Sequence, residues 1–569
     1  MEDLRIIRES KEKSYDMLPE VTQFQEVVPL IDDTGIQFLD FALTLDPNKM
    51  FGGEFIYATC QKDEENASLK QVSSPTPSAS VEAPSFPIRL LTNEEDGGTF
   101  FMETKTTRSG STQHLISVAK PALDVDFAAS LSLFDGKWVP LPFFRHRPPA
   151  GFDDGPNNWA RMRLVSLDTP DVDGATHRLT LAFDTRTMPN QSGVGYLAPS
   201  GEDVRSGDLF KLALTPLEAG RFVSEPWVTS WLNELYREGH PEMDSRDIDE
   251  DLASLVPQAH YLNLLSLMWE PIPAERTSRR ATIKVPEIRL VGRDDQQKTP
   301  IDVDLVLDVG NSRTCGILIE HPAQSESGLK HNYVLELRDL VDPERVYSDS
   351  FESRVEFSQS FFGKNDLSVQ SGRPDAFRWP TIARVGREAG RLASRRRGTE
   401  GSTGLSSPKR YLWDRHSYTH GWRFNGAYVT TDREPFATAP PFSNLINERG
   451  KALFAVLRDG DEDDLPVFRP HYSRSSMMTF MLSEVLAQAL MQINSPAQRS
   501  RQGNIDVPRR LRSILLTVPP AMPLAERSIL FDRMREATGL IWQGMGWYDG
   551  EDDPFAPKEA PAPVPPLPD

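Results

Sequence analysis

The sequence contains little cysteine and no long hydrophobic run. Its only cysteines are Cys60 and Cys315, which lie far apart and can form at most one bridge. A disulfide framework is therefore excluded, and a reducing compartment fits the composition. The N-terminal residues MEDLRIIRESKEKSYDM hold no apolar secretion-signal core, and no window approaches the roughly 20 apolar residues of a membrane span. We expect a cytoplasmic protein, and signal-independent secretion remains open.

Signatures of several enzyme classes are missing as well. No P-loop, HExxH or nucleophile-elbow pattern occurs in the chain. The formal net charge of −20, with an isoelectric point near 5.1, argues against a general nucleic-acid binder. The length of 569 residues exceeds one ordinary hydrophobic core, so we expect several domains. The composition therefore predicts no nucleic-acid partner and no membrane span.

Shifts in composition along the chain indicate five regions. We expect a β-containing segment over residues 1–60, a flexible Ser/Pro-rich linker or surface loop over 61–86, and a β-rich domain without an indicated role over 87–299. An α/β lobe is expected over 300–548. The acidic and then proline-rich tail over 549–569 should be disordered or extended, because it cannot bury a core.

The region before residue 300 carries many short strand patterns separated by turn residues. We expect strands at Ala129–Phe134, Met162–Ser166 and His177–Phe183, with turns at Asp-Gly pairs between such runs. Helical patterns occur near Trp227–Arg237 and Tyr261–Trp269. This region is therefore predicted to be mainly β.

The pattern changes near residue 300. Residues 303–309 and 314–320 predict an antiparallel hairpin, and a third strand is expected at Tyr333–Leu337. A helical pattern covers Arg384–Arg397. Cys315, at the start of the second hairpin strand, is expected to be a small core residue.

Three further elements complete an α/β layer. Apolar residues at helical spacing predict an amphipathic helix over Ser475–Ile493. A buried strand is expected at Ser513–Val518, stopped by Pro519-Pro520. A last helix is expected over Leu524–Thr538, with Gly539 as its C-terminal cap.

The hairpin tip is the most informative part of the chain. The first strand ends in Asp308, and the turn Gly310-Asn311-Ser312-Arg313 follows. Such a turn can offer backbone N–H groups and a hydroxyl to a phosphate, and Asp308 could orient a hydrated Mg²⁺ or a water beside it. The alternative is an ordinary hairpin in which Asp308 only makes the turn, Gly310 only supplies a positive φ, and Arg313 is solvated.

Four segments, in this order, resemble the first half of the actin-like ATPase domain shared by DnaK-type chaperones, actin and sugar kinases. The first resembles the first phosphate motif of that superfamily. The second and third are similar to the chaperones' VG-x-x-A and KR-hydrophobic-leucine stretches, and the fourth to their strand–VPA–helix–AGL segment. The segments are Asp308–Ser312, Arg384–Ala389, Ser407–Leu412, and Thr517–Pro520 followed by Glu526-Arg527 and Ala537–Leu540.

The resemblance implies roles for individual residues. Asp308 would orient Mg²⁺ through water, and Lys409, whose counterpart faces the γ-phosphate in the chaperones, would stabilise charge in the transition state. Gly310, Asn311, Ser312 and Arg313 would contact the phosphates of ATP. For Lys409 the alternative is an exposed lysine beside Arg410.

A closer resemblance is to the bacterial SrfB family of virulence factors. The stretch Leu515–Glu526, LLTVPPAMPLAE, is similar to that family's, and so is the plan of a long β-rich leader ahead of an actin-like region. The expected fold class is therefore α+β and multidomain, with a β-rich N-terminal region followed by a partial actin-like ATPase (ribonuclease H-like) α/β lobe. SrfB proteins are usually far longer, and no second phosphate motif or adenosine-binding segment follows Gly550.

Two functional hypotheses follow. In the first, the chain is the leader and first lobe of an SrfB-type ATPase that binds ATP–Mg²⁺ when a longer parent or another chain supplies the second lobe. In the second, the chain is a non-catalytic interaction or scaffold protein with a degenerate actin-like lobe. A protein partner or a second lobe is expected in either case.

Overall fold

The computed structural model describes residues 22–45, 53–63, 86–89, 103–107, 110–147, 151–153, 155–189, 195–213, 216–268, 283–293, 299–322, 331–363, 365–398, 401–427, 434–454 and 467–547. The chain has an α+β architecture with several sheets. It divides into a first unit, Met1–Asp32 with Ile36–Asp295 and Phe362–Phe377, and a second unit, Asp33–Gly35 with Gln296–Phe361 and Arg378–Asp569. Most of the predicted linker and the whole predicted tail lie outside the described residues.

The first unit contains three sheets, with strand orders β1-β13-β12-β8-β9, β2-β11-β10-β7 and β4-β3-β6-β5. Strand β1 runs parallel to β13, whereas the other pairs are antiparallel. The strands are β1 (Val27–Ile31), β2 (Ile36–Leu43), β3 (Gly53–Asp63), β4 (Phe86–Arg89), β5 (Glu103–Thr107), β6 (Gly110–Val125), β7 (Trp138–Pro140), β8 (Phe143–Arg147), β9 (Gly151–Phe152), β10 (Ala160–Ser166), β11 (His177–Asp184), β12 (Leu209–Leu212) and β13 (Glu287–Val291).

Helices and aromatic side chains form the core of this unit. Trp159 lies at its centre, where its indole Nε1 donates to the carbonyl of Phe143 at 2.7 Å and its ring lies 4.9 Å from that of Phe210. The helices are α1 (Phe127–Phe134), α2 (Gly201–Ser206), α3 (Pro216–Val223), α4 (Pro226–Gly239), α5 (Ser245–Ala253), α6 (Val256–Leu265) and α7 (Asn365–Gln370).

Several predictions for this region are confirmed and one is wrong. Strands β10 and β11 cover the two predicted strands that begin at Met162 and His177, and α4 covers the helix predicted from Trp227. The predicted strand Ala129–Phe134 is instead helix α1. The Asp126 side chain accepts a hydrogen bond from the Ala129 amide at 3.0 Å, so an N-cap fixes helical structure there.

The second unit is built on a mixed sheet of order β16-β15-β14-β23, to which β19 adds by pairing with β15. Two smaller sheets have the orders β17-β18 and β21-β20-β22. The strands are β14 (Ile301–Val309), β15 (Arg313–His321), β16 (Asn332–Val334), β17 (Leu337–Arg338), β18 (Val346–Tyr347), β19 (Phe351–Glu352), β20 (Arg354–Phe357), β21 (Ala383–Val385), β22 (Gly404–Ser406) and β23 (Arg509–Thr517). The α-helices are α8 (Gly386–Arg395), α9 (Ser476–Asn494), α10 (Pro496–Gln502) and α11 (Leu524–Gly544), with 3-10 turns at Pro408–Tyr411 and Phe442–Asn444.

The predicted hairpin is confirmed. Strands β14 and β15 pair antiparallel from Asp302 opposite His321 to Val309 opposite Thr314. Strand β23 pairs parallel with β14, and Asp308 is in register with Thr517. The predicted third strand is shorter than expected and divides into β16 and β17.

Helix α9 lies where a helix was predicted, but it is not the amphipathic helix that we expected. An amphipathic helix would expose one face, whereas all 19 residues of α9 are buried. Its polar side chains Glu484, Gln488 and Gln492 lie four residues apart on one face and make hydrogen bonds within the unit. The helix is therefore the central core element of the second unit.

Strand β23 is not the buried strand that its apolar sequence predicted. Among the strands that the structure describes, it lies at the edge of the sheet. Its residues are mostly half-buried or exposed, and Leu515 is 49% exposed. Cys315 is also exposed and carries a free thiol, so the expectation of a core residue is wrong. Both side chains belong to the sheet face that carries Asp308 and that α9 does not cover, because alternate residues of a strand point to opposite faces.

Helix α11 continues past Gly539, so that glycine is not the predicted cap. A Cβ atom on Gly539 would lie 2.3 Å from Cζ of Phe454, and the Phe454 ring is buried. The glycine therefore permits close packing of an aromatic ring on the helix. Among the described residues, no helix is both long and apolar enough to cross a membrane.

The packing at Gly539 predicts the effect of one methyl group. Glycine-to-alanine changes inside helices usually stabilise by about 0.5–1 kcal/mol. Gly539→Ala should instead destabilise the second unit by about 1–3 kcal/mol, because the Phe454 ring must move. Gly390→Ala in α8 is the control, since its Cβ would meet Glu352 Oε2 at an ordinary 3.5 Å. Urea unfolding measures both, and equal effects would contradict the packing.

A buried histidine predicts acid sensitivity of the first unit. His260 in α6 is 8% exposed, and its Nδ1 lies 3.0 Å from Ser130 Oγ in α1. The pKa of His260 is lowered from 6.5 to about 4, chiefly by burial and also by His240, while Asp251 and Asp126 act in the opposite direction. As the pH falls below 6.5, His260 binds a proton in the unfolded chain but stays neutral in the folded chain. The folded state therefore loses stability between pH 6.5 and about 4.

Between pH 7 and pH 4, the free energy of unfolding of wild type should fall by on the order of 3 kcal/mol more than that of a His260→Asn variant, whose side chain does not titrate. Denaturant unfolding of the first unit at a series of pH values measures the difference. His416→Asn is the control, because the His416 side chain is 98% exposed. An identical pH dependence in wild type and His260→Asn would refute the explanation.

Candidate functional site

The site is built where the parallel strands β14 and β23 both end. Asp308 is the penultimate residue of β14, Thr517 is the last residue of β23, and Thr517 Oγ1 donates to Asp308 Oδ1 at 2.8 Å. The Asp308 side chain is exposed. Ligands of open α/β sheets bind outside the carboxyl ends of parallel strands, which is the position of this carboxylate.

The turn after Asp308 is tight. The Gly310 amide donates to the Arg313 carbonyl at 2.9 Å. A Cβ atom on Gly310 would lie 2.4 Å from that same carbonyl oxygen, and Gly310 is not among the glycines with positive φ. The alternative of a glycine needed only for a positive φ is therefore wrong. The glycine is needed because the backbone of the turn closes on itself.

A serine outside the hairpin holds the turn in place. Ser353, between β19 and β20, is 2% exposed. Its Oγ donates to the Gly310 carbonyl at 2.8 Å and lies 2.9 Å from Thr314 Oγ1. Its amide also donates to the Ser312 carbonyl at 2.9 Å. Sequence reasoning missed this residue because it lies in an irregular stretch without a motif.

The other turn residues are on the surface. Asn311, Ser312 and Arg313 are all exposed. The Arg313 guanidinium lies beside Ser350, with Nη1 at 3.2 Å from Ser350 Oγ and 3.4 Å from its carbonyl. Arg313 is thus loosely positioned by Ser350 and is not a fully solvated side chain.

Lys409 joins the site from another element. It lies in the 3-10 turn Pro408–Tyr411 and is 7% exposed, so the alternative of an exposed lysine is wrong. Its Nζ donates to the carbonyl of Val309 at 2.6 Å, immediately after Asp308. Burial lowers the pKa of Lys409, while the negative charges of Asp308 and Glu526 act in the opposite direction. The structure therefore brings Lys409 to the hairpin tip.

Glu526 is an additional carboxylate of the site. It lies in the first turn of α11 and is half-buried, and its negative charge acts to raise the pKa of Lys409. The sequence resemblance includes Glu526 but gave it no role. The signal that could have identified it is its position just inside a helix that follows a strand ending at the site.

The arrangement combines groups of both charges around one turn. Lys409, the Asn311 amide and the Ser312 hydroxyl are groups that bind phosphate oxygens, and Asp308 is a group that binds hydrated cations. In the part of the chain that the structure describes, no group of three or more His, Cys, Asp or Glu side chains could hold a metal ion by itself. A cation here would need ligands from water or a phosphate.

The hydrogen bonds of Ser353 predict a specific weakness. Ser353→Ala removes a buried hydroxyl and leaves the Gly310 carbonyl and Thr314 Oγ1 without that partner, which should cost about 1–3 kcal/mol. Amide hydrogen exchange across Gly310–Arg313 should become faster. The exposed Ser312→Ala is the control and should change stability by no more than about 0.5 kcal/mol. Unchanged exchange in Ser353→Ala would show that the turn does not depend on this serine.

Comparison with known proteins identifies the family. A family model described as "Virulence factor SrfB" matches residues 17–569. No curated protein and no solved structure matches the chain. Because the family model covers nearly the whole sequence, this chain belongs to the SrfB virulence factor family.

Proposed function

We propose that this SrfB protein is a nucleotide-binding protein whose hairpin tip receives the phosphates of ATP–Mg²⁺, as the first lobe of an actin-like ATPase that a second lobe completes. The observation that carries the proposal is the convergence of Asp308, Lys409 and the turn Gly310–Arg313 at the carboxyl ends of two parallel strands. Lys409 comes from a segment far from Asp308 and the turn in sequence. The actin-like resemblance assigns Mg²⁺ orientation to Asp308 and phosphate contacts to Lys409 and the turn.

The chemistry of the donor groups fits a polyphosphate. An ammonium group has three N–H donors, and the Val309 carbonyl uses one from Lys409, which leaves further donors for a phosphate. The exposed Ser312 hydroxyl, Asn311 amide and Arg313 guanidinium add donors around the same turn. A low-dielectric position strengthens the attraction of the Lys409 charge for an anion.

The carboxylates fit a hydrated magnesium ion. Mg²⁺ usually keeps several waters and is bound by one or two carboxylates together with substrate phosphates. Asp308 is exposed at the tip and is held by Thr517, and Glu526 is the second carboxylate near Lys409. When bound with ATP, the ion would neutralise phosphate charge. The role of Asp308 would be to orient its water shell.

One lobe alone should bind weakly. Residues at the hairpin tip would contact phosphates from one side and would leave the base and the opposite face of the nucleotide uncovered. Electrostatic preorganisation needs a closed site from which water is excluded. We therefore expect no meaningful ATP hydrolysis by this chain alone.

A second candidate is a scaffold protein with a degenerate lobe. The observation that favours it is the hydrogen bond of the Lys409 ammonium to Val309, which gives this lysine a structural role without nucleotide. In that case the tip would keep its geometry and bind no nucleotide.

Calorimetric titration with ATP, with and without Mg²⁺, distinguishes the two candidates. We expect a dissociation constant on the order of 1 mM, tightened by Mg²⁺. Asp308→Asn should keep ATP binding but lose the effect of Mg²⁺, because its amide still accepts from Thr517 but does not attract a cation. Lys409→Met should weaken binding about tenfold or more, or roughly 1.4 kcal/mol, with and without Mg²⁺.

Asp349→Asn is the control for this titration, because Asp349 pairs with Arg387 and its side chain is 73% exposed. It should bind as wild type does. Absence of binding in wild type at about 10 mM ATP, or equal binding by all four proteins, would favour the scaffold.

A further inference from the structure

Strand β20 connects the two halves of the candidate site. Ser353, which directly precedes β20, holds the Gly310 carbonyl of the hairpin turn. The Ser353 carbonyl in turn accepts from the Ser407 amide at 2.7 Å, two residues before Lys409. Strand β20 also pairs antiparallel with β22, which ends at the residue before Ser407. The pairing of these two short strands therefore determines where Lys409 lies relative to the turn.

The side chain of Glu356 fills the space that a side chain on β22 would take. Glu356 is 1% exposed and lies opposite Gly404 in the strand pair. A Cβ atom on Gly404 would lie 2.0 Å from Glu356 Oε2 and 2.3 Å from the Val355 carbonyl oxygen. The glycine is therefore required for the close approach of this carboxyl to the backbone of β22.

One oxygen of the carboxyl joins three elements. Glu356 Oε1 accepts from Asn425 Nδ2 at 2.8 Å and from the hydroxyl of Thr403, which directly precedes β22. Asn425 Nδ2 also donates to the Leu392 carbonyl of α8 at 3.0 Å. The carboxyl thus ties β20 to β22 and to α8, and it keeps β22 in the position from which Lys409 reaches the turn.

The other oxygen, Glu356 Oε2, is buried without a hydrogen-bond partner among the described residues. Two cations act on the carboxyl. Arg354 Nη2 lies 3.7 Å from Oε2 on a side chain that is 30% exposed, and Arg396 already pairs with Glu434 at 2.6 Å. An ionised carboxyl at this position would be a buried charge without a close counter-ion, which is costly, whereas a neutral carboxyl avoids that cost.

The pKa of Glu356 agrees with this geometry. Burial raises the pKa above the ordinary 4.5 of a glutamic acid, while hydrogen bonds from Thr403 and Asn425 and the charges of the two arginines act in the opposite direction. The folded chain therefore keeps the proton at pH values at which the unfolded chain has lost it. The stability that this proton contributes is fully present below pH 4.5 and is lost as the pH rises through the folded pKa.

We propose that Glu356 is a positioning residue of the phosphate site that works in its neutral form, and that loss of its proton weakens phosphate binding there. This inference rests on the proposed function of the hairpin tip. Once ionised, the carboxylate would turn from Gly404 toward water or Arg354 and would release Thr403. Strand β22 would then loosen, and Lys409 would no longer be held against the turn. Because phosphate binds the ordered arrangement better, it would favour the protonated form.

Glu356→Gln tests the positioning role, since the amide is neutral at every pH and keeps an oxygen for Thr403 and Asn425. Amide hydrogen exchange of Gly404–Ser406 and Gly310–Arg313 is measured without nucleotide from pH 6 to pH 9 and is corrected for the intrinsic pH dependence of exchange. Protection in wild type should fall about threefold or more relative to Glu356→Gln as the pH rises. Glu250→Gln in the first unit is the control, because the Glu250 side chain is 71% exposed, and it should follow wild type.

Titration with ATP alone at the same pH values tests the consequence for the ligand. Wild type and Glu356→Gln should bind ATP equally at pH 6, and wild type should bind about threefold or more weakly than the variant at pH 9. The comparison removes the pH dependence of ATP and of Lys409, which both proteins share. Absence of binding in both proteins would overturn the proposed function and the ligand part of this inference, while hydrogen exchange would still decide the positioning part.

Three results would overturn the positioning role or its effect on the ligand. The first is the same pH dependence of exchange in wild type and Glu356→Gln. The second is equal ATP binding by the two proteins at pH 9. The third is failure of Glu356→Gln to fold, as judged by circular dichroism, because an amide of the same shape should replace a neutral carboxyl.

Discussion

The second unit depends on helix α9, which is buried on every side. A helix without a solvent face must satisfy each polar side chain inside the protein, since an unpaired buried polar group costs about 1–3 kcal/mol. Gln488 meets this demand by exchanging two 3.0 Å hydrogen bonds with the backbone of Arg338, and Gln492 does the same with Glu336 and Val334 at 2.9 and 3.0 Å. The side-chain amides thus fix the chain that follows β16 against the helix.

The charged member of this series has a similar constraint. Glu484 forms a 3.0 Å ion pair with Arg384 and accepts from the indole of Trp379 at 2.9 Å, and both charged side chains are almost fully buried. Removing one partner of such a pair leaves the other charge buried and unpaired, which is strongly destabilising. The pair therefore specifies one arrangement of α9 and β21. The same helix reaches the candidate site, because Ser475 at its N-terminus donates to the Leu412 carbonyl at 2.7 Å, directly after the turn that holds Lys409.

The sequence predicted the elements of the second unit better than their surroundings. The hairpin was predictable because strand periodicity, a turn glycine and a terminal carboxylate all lie within one local run. The character of α9 was not, because its glutamines and glutamate look like a solvent face until β16 and β17 are placed against them. Strand β23 was predicted as buried from Ile514, Leu515 and Leu516, and periodicity cannot reveal that a strand lies at an edge.

The candidate site shows the same division. Asp308 and the turn were visible in the sequence, and Lys409 entered through a resemblance between distant segments. Ser353, which positions the turn, gave no such signal, and Thr517 entered only as part of a resembling segment without a role of its own. Both roles arise from contacts between distant segments, with Gly310 for Ser353 and with Asp308 for Thr517. The sequence predicts Gly539 as a helix end. The reason for a glycine there is instead the Phe454 ring, which lies in another segment. A local sequence pattern does not reveal such long-range contacts.

The phosphate and metal site that we propose at the hairpin tip can be tested by crystallography. Crystals of the chain grown with Mn²⁺ and a non-hydrolysable ATP analogue allow the metal to be located by its anomalous scattering. We expect an anomalous peak within reach of the Asp308 carboxylate through water, with phosphate density against Gly310–Arg313 and Lys409. Nucleotide bound elsewhere on the chain, with the tip free of metal and phosphate, would contradict it.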